Sequence, residues 1–213
     1  MKGLHLDRLR ISRGAETLVS LDLLVAPGEV LTVMGPSGSG KSTALAAIIG
    51  TLAPPFRLEG RIWLDGVEVT PLPTRARRIG LLFQDDVLFP HLSVGGNLGF
   101  ALPPGLRGAA RRARIAAALE QAGLPGFADR DPATLSGGQR ARVALFRTLL
   151  AEPCALLLDE PFSRLDADLR EQIRSFVLDR ARDRGLPVIL VTHDAEDARA
   201  AGGSVISPMG LPL

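Results

Sequence analysis

Gly35-Pro36-Ser37-Gly38-Ser39-Gly40-Lys41-Ser42-Thr43 is the stretch on which the reading of this chain turns. It fits G-x-x-x-x-G-K-[ST], a phosphate-binding loop. Val30 to Met34 before it has the texture of a short buried strand, and Ala44 to Ile49 after it continues as an apolar helix. Strand, glycine loop and helix is the context this chemistry needs. The glycines let consecutive backbone N–H groups curl into one anion-binding concavity, and the helix start adds its partial positive charge. Lys41 is then expected to reach the β- and γ-phosphates and the Ser42 hydroxyl to ligate Mg²⁺.

The chain's 213 residues are enough for one domain with a sizeable core, and 46% apolar with 23% charged residues is ordinary for a soluble globular protein. A net charge of +2 is too small a basic excess to argue for nucleic acid, and no nucleic-acid partner is expected. The arginine clusters at Arg75–Arg78 and Arg111–Arg114 fit solvated faces. Cys154 stands alone, which excludes an internal disulfide and fits a small buried hydrophobe. The start, MKGLHLDRLRIS, has no apolar run of signal-peptide type, and no segment is apolar for the length of a membrane span. The expected location is therefore cytoplasmic.

Working outward, Leu4, Leu6, Leu9 and Ile11 suggest an imperfectly alternating strand, and Leu18, Leu21, Leu23 and Val25 a second. Asp65-Gly66 between apolar runs marks a hairpin. These predict an antiparallel layer beside the nucleotide core. Ile79–Phe83, Leu156–Leu158 and Val188–Val191 are continuous apolar runs, as in a parallel sheet covered on both faces. From Ser93 to about Ala151 the helical period dominates, with Ile115, Leu119 and Ala122 on one face. Asp166 is placed to cap a long helix carrying Leu169, Ile173, Phe176 and Val177. The fold class expected is α/β, a P-loop NTPase core of RecA-like type with an antiparallel layer and an inserted helical subdomain.

Two further constellations carry chemistry. In Ala155-Leu156-Leu157-Leu158-Asp159-Glu160 the leucines form the strand and Asp159 emerges at its carboxyl end, where open α/β sheets bind ligands. Asp159 is expected to hold Mg²⁺ as the partner of Ser42. Glu160 either orients and deprotonates an attacking water or merely caps the strand. Leu135-Ser136-Gly137-Gly138-Gln139 opens a helix and supplies a second anion-binding start.

In order along the chain, the loop at Gly35–Thr43, Gln84 in LLFQD, LSGGQ at Leu135–Gln139, LLLDEP at Leu156–Pro161, Ser163-Arg164-Leu165-Asp166 and His193 in VTHD resemble the nucleotide-binding subunits of ABC transporters. The resemblance implies a single ABC ATPase domain over residues 1–213, with a core lobe at 1–84 and 151–213 and a helical subdomain at about 85–150. It implies ATP and Mg²⁺ as cofactors. Gln84 then contacts Mg²⁺ and the attacking water, His193 contacts the γ-phosphate, and Asp166 belongs to the S-x-L-D loop that follows LLLDEP. Ser136, Gly137, Gly138 and Gln139 face the γ-phosphate bound by the opposite subunit, which requires an ATP-dependent head-to-tail homodimer.

Within the family the chain resembles the bacterial importer branch, closest to thiamine-type uptake systems. This implies transmembrane permease subunits, an extracytoplasmic solute-binding protein, and a peripheral position on the inner face of the membrane. The sequence stops soon after His193, so the C-terminal regulatory domain of maltose-type subunits is not expected. Val87, Leu88, Phe89, Pro90 and Leu92 fit a permease contact. One departure is plain: the chain has no tyrosine, whereas the family places an adenine-stacking aromatic where Ile11-Ser12-Arg13-Gly14 stands here. Arg13 either stacks on the base or is a solvated turn residue. The alternatives to transport are an ATP-dependent dimerisation switch and a P-loop kinase acting on a small molecule.

Overall fold

Leu4, Leu6, Leu9 and Ile11 break strict alternation because a β-bulge lies between them. The computed structural model describes residues 2–83 and 87–213, with the backbone alone at Asp168. Strand β1 (Leu4–Arg13) pairs antiparallel with β2 (Glu16–Val25), with the register shifted between Leu6 and Leu9. The shift resets the alternation, so all four side chains are 0% exposed. Arg8 takes φ 47° in the bulge and Gly60, facing it, φ 88°. A Cβ on Gly60 would collide with the Arg8 carbonyl, so this position requires glycine. β4 (Phe56–Leu64) pairs with β1 and continues through Asp65-Gly66 into β5 (Val67–Glu68), giving the order β2-β1-β4-β5. Both turn residues have positive φ, 51° and 82°, as a tight hairpin demands.

The second sheet contains β3 (Val30–Val33), β6 (Ile79–Leu82), β7 (Ala155–Asp159), β8 (Val188–Val191) and β9 (Val205–Ile206), in the order β6-β7-β8-β3-β9. Every residue of β3, β7 and β8 is buried, which is why these runs, apart from Thr32 in β3 and the terminal Asp159 of β7, are apolar without alternation. β7, β8, β3 and β9 are parallel neighbours. Helix α1 (Lys41–Ile49) packs against both β1 and β7, so Leu45 and Ile48 join the two sheets into one apolar core.

The arginine cluster at Arg75–Arg78 departs from the solvated face expected of it. Arg77, at the end of the short helix α2 (Thr74–Arg77), is 6% exposed. Its guanidinium donates to the carbonyls of Ala47 and Ile48 in the last turn of α1, and to those of Thr70 and Leu72. Ala47 O also accepts from Gly50 N, whereas Arg77 supplies from a distant turn the donor that Ile48 O, at the helix end, would otherwise lack. Cys154 is half-buried beside the core, and its amide donates to Arg78 O.

The chain divides into two units. The first, residues 2–81 with Pro153–Glu160 and Arg174–Leu213, holds both sheets. The second, Leu82–Glu152 with Pro161–Ile173, holds α3 (Val94–Phe100), α4 (Gly108–Gln121), α5 (Gly137–Leu150) and the start of α6 (Ala167–Asp183). α7 (Ala195–Ala201) lies in the first unit. Among the described residues no helix is long and apolar enough to cross a membrane.

Candidate active site

Register alone brings three chain segments to one end of the parallel sheet. Val33 pairs with Val191, and Val191 with Asp159. The glycine loop after β3, Asp159-Glu160 at the end of β7 and Thr192-His193 after β8 therefore share the carboxyl edge, the binding edge of such sheets. In the loop, Gly38 and Gly40 have φ of 80° and 96°. Gly40 is the N-cap of α1, no side chain caps that end, and its first turn has no acidic residue. The leading amides are thus left for an external anion. A Cβ on Gly35 would sit 2.8 Å from Ser39 Oγ. Lys41 is 8% exposed, and its ammonium donates to Gly35 O (2.7 Å) and Pro36 O (2.8 Å), which holds the charge inside the loop.

Asp159 is nearly buried. Burial pushes its carboxyl above the usual range; the Ser42 hydroxyl, which donates to it, pulls it back, Glu160's charge raises it, and Lys41 lowers it. A desolvated carboxylate hydrogen-bonded to a hydroxyl is a hard oxygen pair of the kind Mg²⁺ takes, with phosphates and waters completing the octahedron. Among the described residues no cluster of three His, Cys, Asp or Glu forms a separate metal site. Glu160 leaves the strand at φ 47°, unusual for a residue with a side chain, and its amide donates to Val191 O at 2.9 Å. Its Oε1 lies 2.9 Å from His193 Nδ1, a contact spanning 33 residues of sequence. The carboxylate is 17% exposed and the imidazole 65% exposed, so the pair faces outward from the sheet edge.

The second unit holds Ser136–Gln139 and Asp166. Ser136 caps α5: its Oγ accepts from Gln139 N (3.3 Å), and Gln139 Oε1 accepts from Ser136 N (2.9 Å). The S-x-x-Q spacing is the sequence signal of this capping box. The Ser136 hydroxyl keeps its own hydrogen to donate outward. A Cβ on Gly138 would press on Arg164 O at 3.1 Å, whereas one on Gly137 would meet nothing closer than 3.9 Å. Asp166 caps α6 by accepting from Leu169 N at 3.1 Å, and its charge acts on Arg142 of α5. Gln84 lies outside the described residues. Phe89 is half-buried, with Phe100 edge-on at 4.8 Å and Arg147 over its ring at 5.1 Å. Arg13 ends β1, more than half exposed, with its guanidinium 3.4 Å from Glu16.

A strand–loop–helix phosphate cradle with a Ser–Asp pair and a Glu–His pair at one sheet edge defines a nucleotide-hydrolysing P-loop protein. Comparison with known proteins specifies the family. The "ABC transporter" family model matches residues 18–163. "Uncharacterized ABC transporter ATP-binding protein YnjD" of Escherichia coli K12 is 53% identical over 183 residues, 86% of this chain and 84% of that one. "Thiamine import ATP-binding protein ThiQ" of Cereibacter sphaeroides is 50% identical over 197 residues, 92% of this chain and 84% of that one. Among solved structures, the ATP-binding cassette MJ0796, a dimer in a post-hydrolysis state bound to ADP and Pi, superposes with a TM-score of 0.83 at 33% identity, covering 96% of this chain and 93% of that one. The chain belongs to the ABC transporter family, as an ATP-binding, ATP-hydrolysing cassette. The expected fold class holds: a parallel P-loop core, an antiparallel layer and a helical unit.

Proposed function

We propose that the chain is the ATPase subunit of a bacterial importer, working as a head-to-tail homodimer beneath separate permease subunits on the cytoplasmic face of the membrane. The observation that carries the reading is the 2.9 Å contact of Glu160 with His193 at the edge that also holds Lys41, Ser42 and Asp159. Gly35–Thr43 wrap the phosphates with backbone amides, and Lys41 adds its charge at the β- and γ-positions. Ser42 and Asp159 hold Mg²⁺, which, when bound, neutralises phosphate charge. Glu160 takes the proton of the attacking water, and His193 fixes that carboxylate and the γ-phosphate. Gln84 is assigned to Mg²⁺ and the water by its place in the LLFQD motif. Ser136, Gly137, Gly138 and Gln139 meet the γ-phosphate across the dimer, with Asp166 in the loop beside them.

The dimeric state of MJ0796 supports the dimer. The relatives named for thiamine import, at 50% and 45% identity, support uptake of thiamine or a similar small solute, delivered to the permease by a solute-binding protein. Phe89 and its neighbours on the helical unit are the surface assigned to the permease.

Glu160→Gln tests the reading, because it keeps shape and hydrogen bonding but removes the base. ATP should still bind, turnover should fall about 10²- to 10⁴-fold, and dimers should accumulate with ATP and Mg²⁺ in sedimentation. Near-normal turnover would refute the assignment.

A further inference from the structure

The motifs account for His193 but not for what surrounds it. Thr192 is 2% exposed between the end of β8 and His193, and its hydroxyl accepts from Asp194 N at 3.0 Å. Asp194 in turn caps α7, accepting from Glu196 N at 2.7 Å. The hydroxyl's own hydrogen points to Asp197 Oδ2 at 3.5 Å, the outer limit of such a bond. Asp197 is 2% exposed, and its other oxygen accepts from Arg174 of α6 at 3.0 Å. Arg174 is itself buried, and its second nitrogen reaches Glu196 at 3.5 Å. A buried, paired carboxylate is difficult to move, because shifting it would strand a charge away from water. The chain Arg174–Asp197–Thr192–Asp194 therefore anchors the backbone on the C-terminal side of His193 to two helices, while β8 anchors the other side.

We infer that Thr192 is a positioning residue for His193, with the Arg174–Asp197 ion pair as its fixed point. The inference rests on the reading of His193 given above. The imidazole is largely solvent-exposed and contacts Glu160 through Nδ1, so the rest of its aim is set by the backbone that carries it. The hydroxyl of Thr192 holds that backbone from the adjacent residue. Loss of the hydroxyl should misplace the ring without disturbing the phosphate loop, to which the proposed function assigns nucleotide binding.

The test is a double-mutant cycle on the full chain, with steady-state ATPase and ADP binding as readouts. Thr192→Val preserves shape and removes the hydroxyl; kcat should fall about tenfold, since small misplacements of a reacting group are costly. KM for ATP and the ADP affinity should stay near wild type. Thr192→Ser restores the hydroxyl and should restore most of kcat. In a His193→Ala background, Thr192→Val should cost nothing further, because its effect passes through the ring. A wild-type kcat in Thr192→Val, or an equal loss in both backgrounds, would overturn the inference alone. If His193→Ala itself leaves kcat unchanged, the reading of His193 falls and the inference with it.

Discussion

Replacing Arg77 with methionine should destabilise the protein while leaving its nucleotide chemistry intact. The guanidinium donates to four carbonyls: Leu72 (3.0 Å), Ala47 (3.1 Å), Ile48 (2.7 Å) and Thr70 (2.7 Å). Ala47 also accepts from Gly50 N at 3.2 Å, so its carbonyl keeps a donor in the variant. The carbonyls of Ile48, Thr70 and Leu72 lose theirs. A buried acceptor left unsatisfied costs about 1–3 kcal/mol. Two effects pull the total toward the low end. Water can enter where the guanidinium was, and methionine avoids the desolvation that lowers the affinity of Arg77 for its proton. The net loss should be about 3 kcal/mol. At about 2–4 °C per kcal/mol for a domain of this size, the melting temperature should drop by about 6–12 °C. Arg77→Lys keeps a cation but not the planar fork, and should recover only part of this. Thermal unfolding followed by far-ultraviolet circular dichroism measures the shift. ATP affinity well below the transition should hold, since the phosphate loop lies at the opposite end of α1. A variant melting within about 2 °C of wild type would refute the anchoring role.

Asp159→Asn should raise the melting temperature of the nucleotide-free protein at neutral pH. Burial raises the carboxyl's proton affinity in the folded state, so folding loses stability as pH climbs from the ordinary carboxylate range through the raised value. Asparagine removes that loss; the gain should shrink as pH is lowered into that window, and a gain constant with pH would show that ionisation is not its source. Arg13→Ala should raise KM for ATP and GTP alike if the guanidinium stacks on the base, and leave both unchanged if it serves only Glu16. With the stacking aromatic missing, kcat/KM for GTP in the wild type should lie within about tenfold of that for ATP, and strong rejection of GTP would require a base-reading contact. Phe89→Ala should weaken attachment to the permease more than ATP binding by the isolated subunit; equal losses with a lower melting temperature would make Phe89 a core residue.

Much of this protein is written locally. A phosphate loop needs glycines and a lysine at fixed offsets within one turn of chain, so Gly35–Thr43 declares itself without any partner. Strands buried on both faces are mostly apolar without alternation, so β3, β7 and β8 were legible as runs, and the LSGGQ and LLLDEP spacings carried the family. Tertiary structure decided what depends on residues far apart in sequence. Nothing local in Asp159 or Val191 says that they are neighbours; the parallel register does, and it places Glu160 against His193 across 33 residues. The same holds for Arg77, which in sequence is one arginine in a basic cluster and in the fold is the donor for a helix end 29 residues away. The bulge at Arg8 explains an alternation that the strand period alone left imperfect. In each case short-range preferences specify which element forms, and the burial of polar groups in a common core then selects the one pairing that satisfies them.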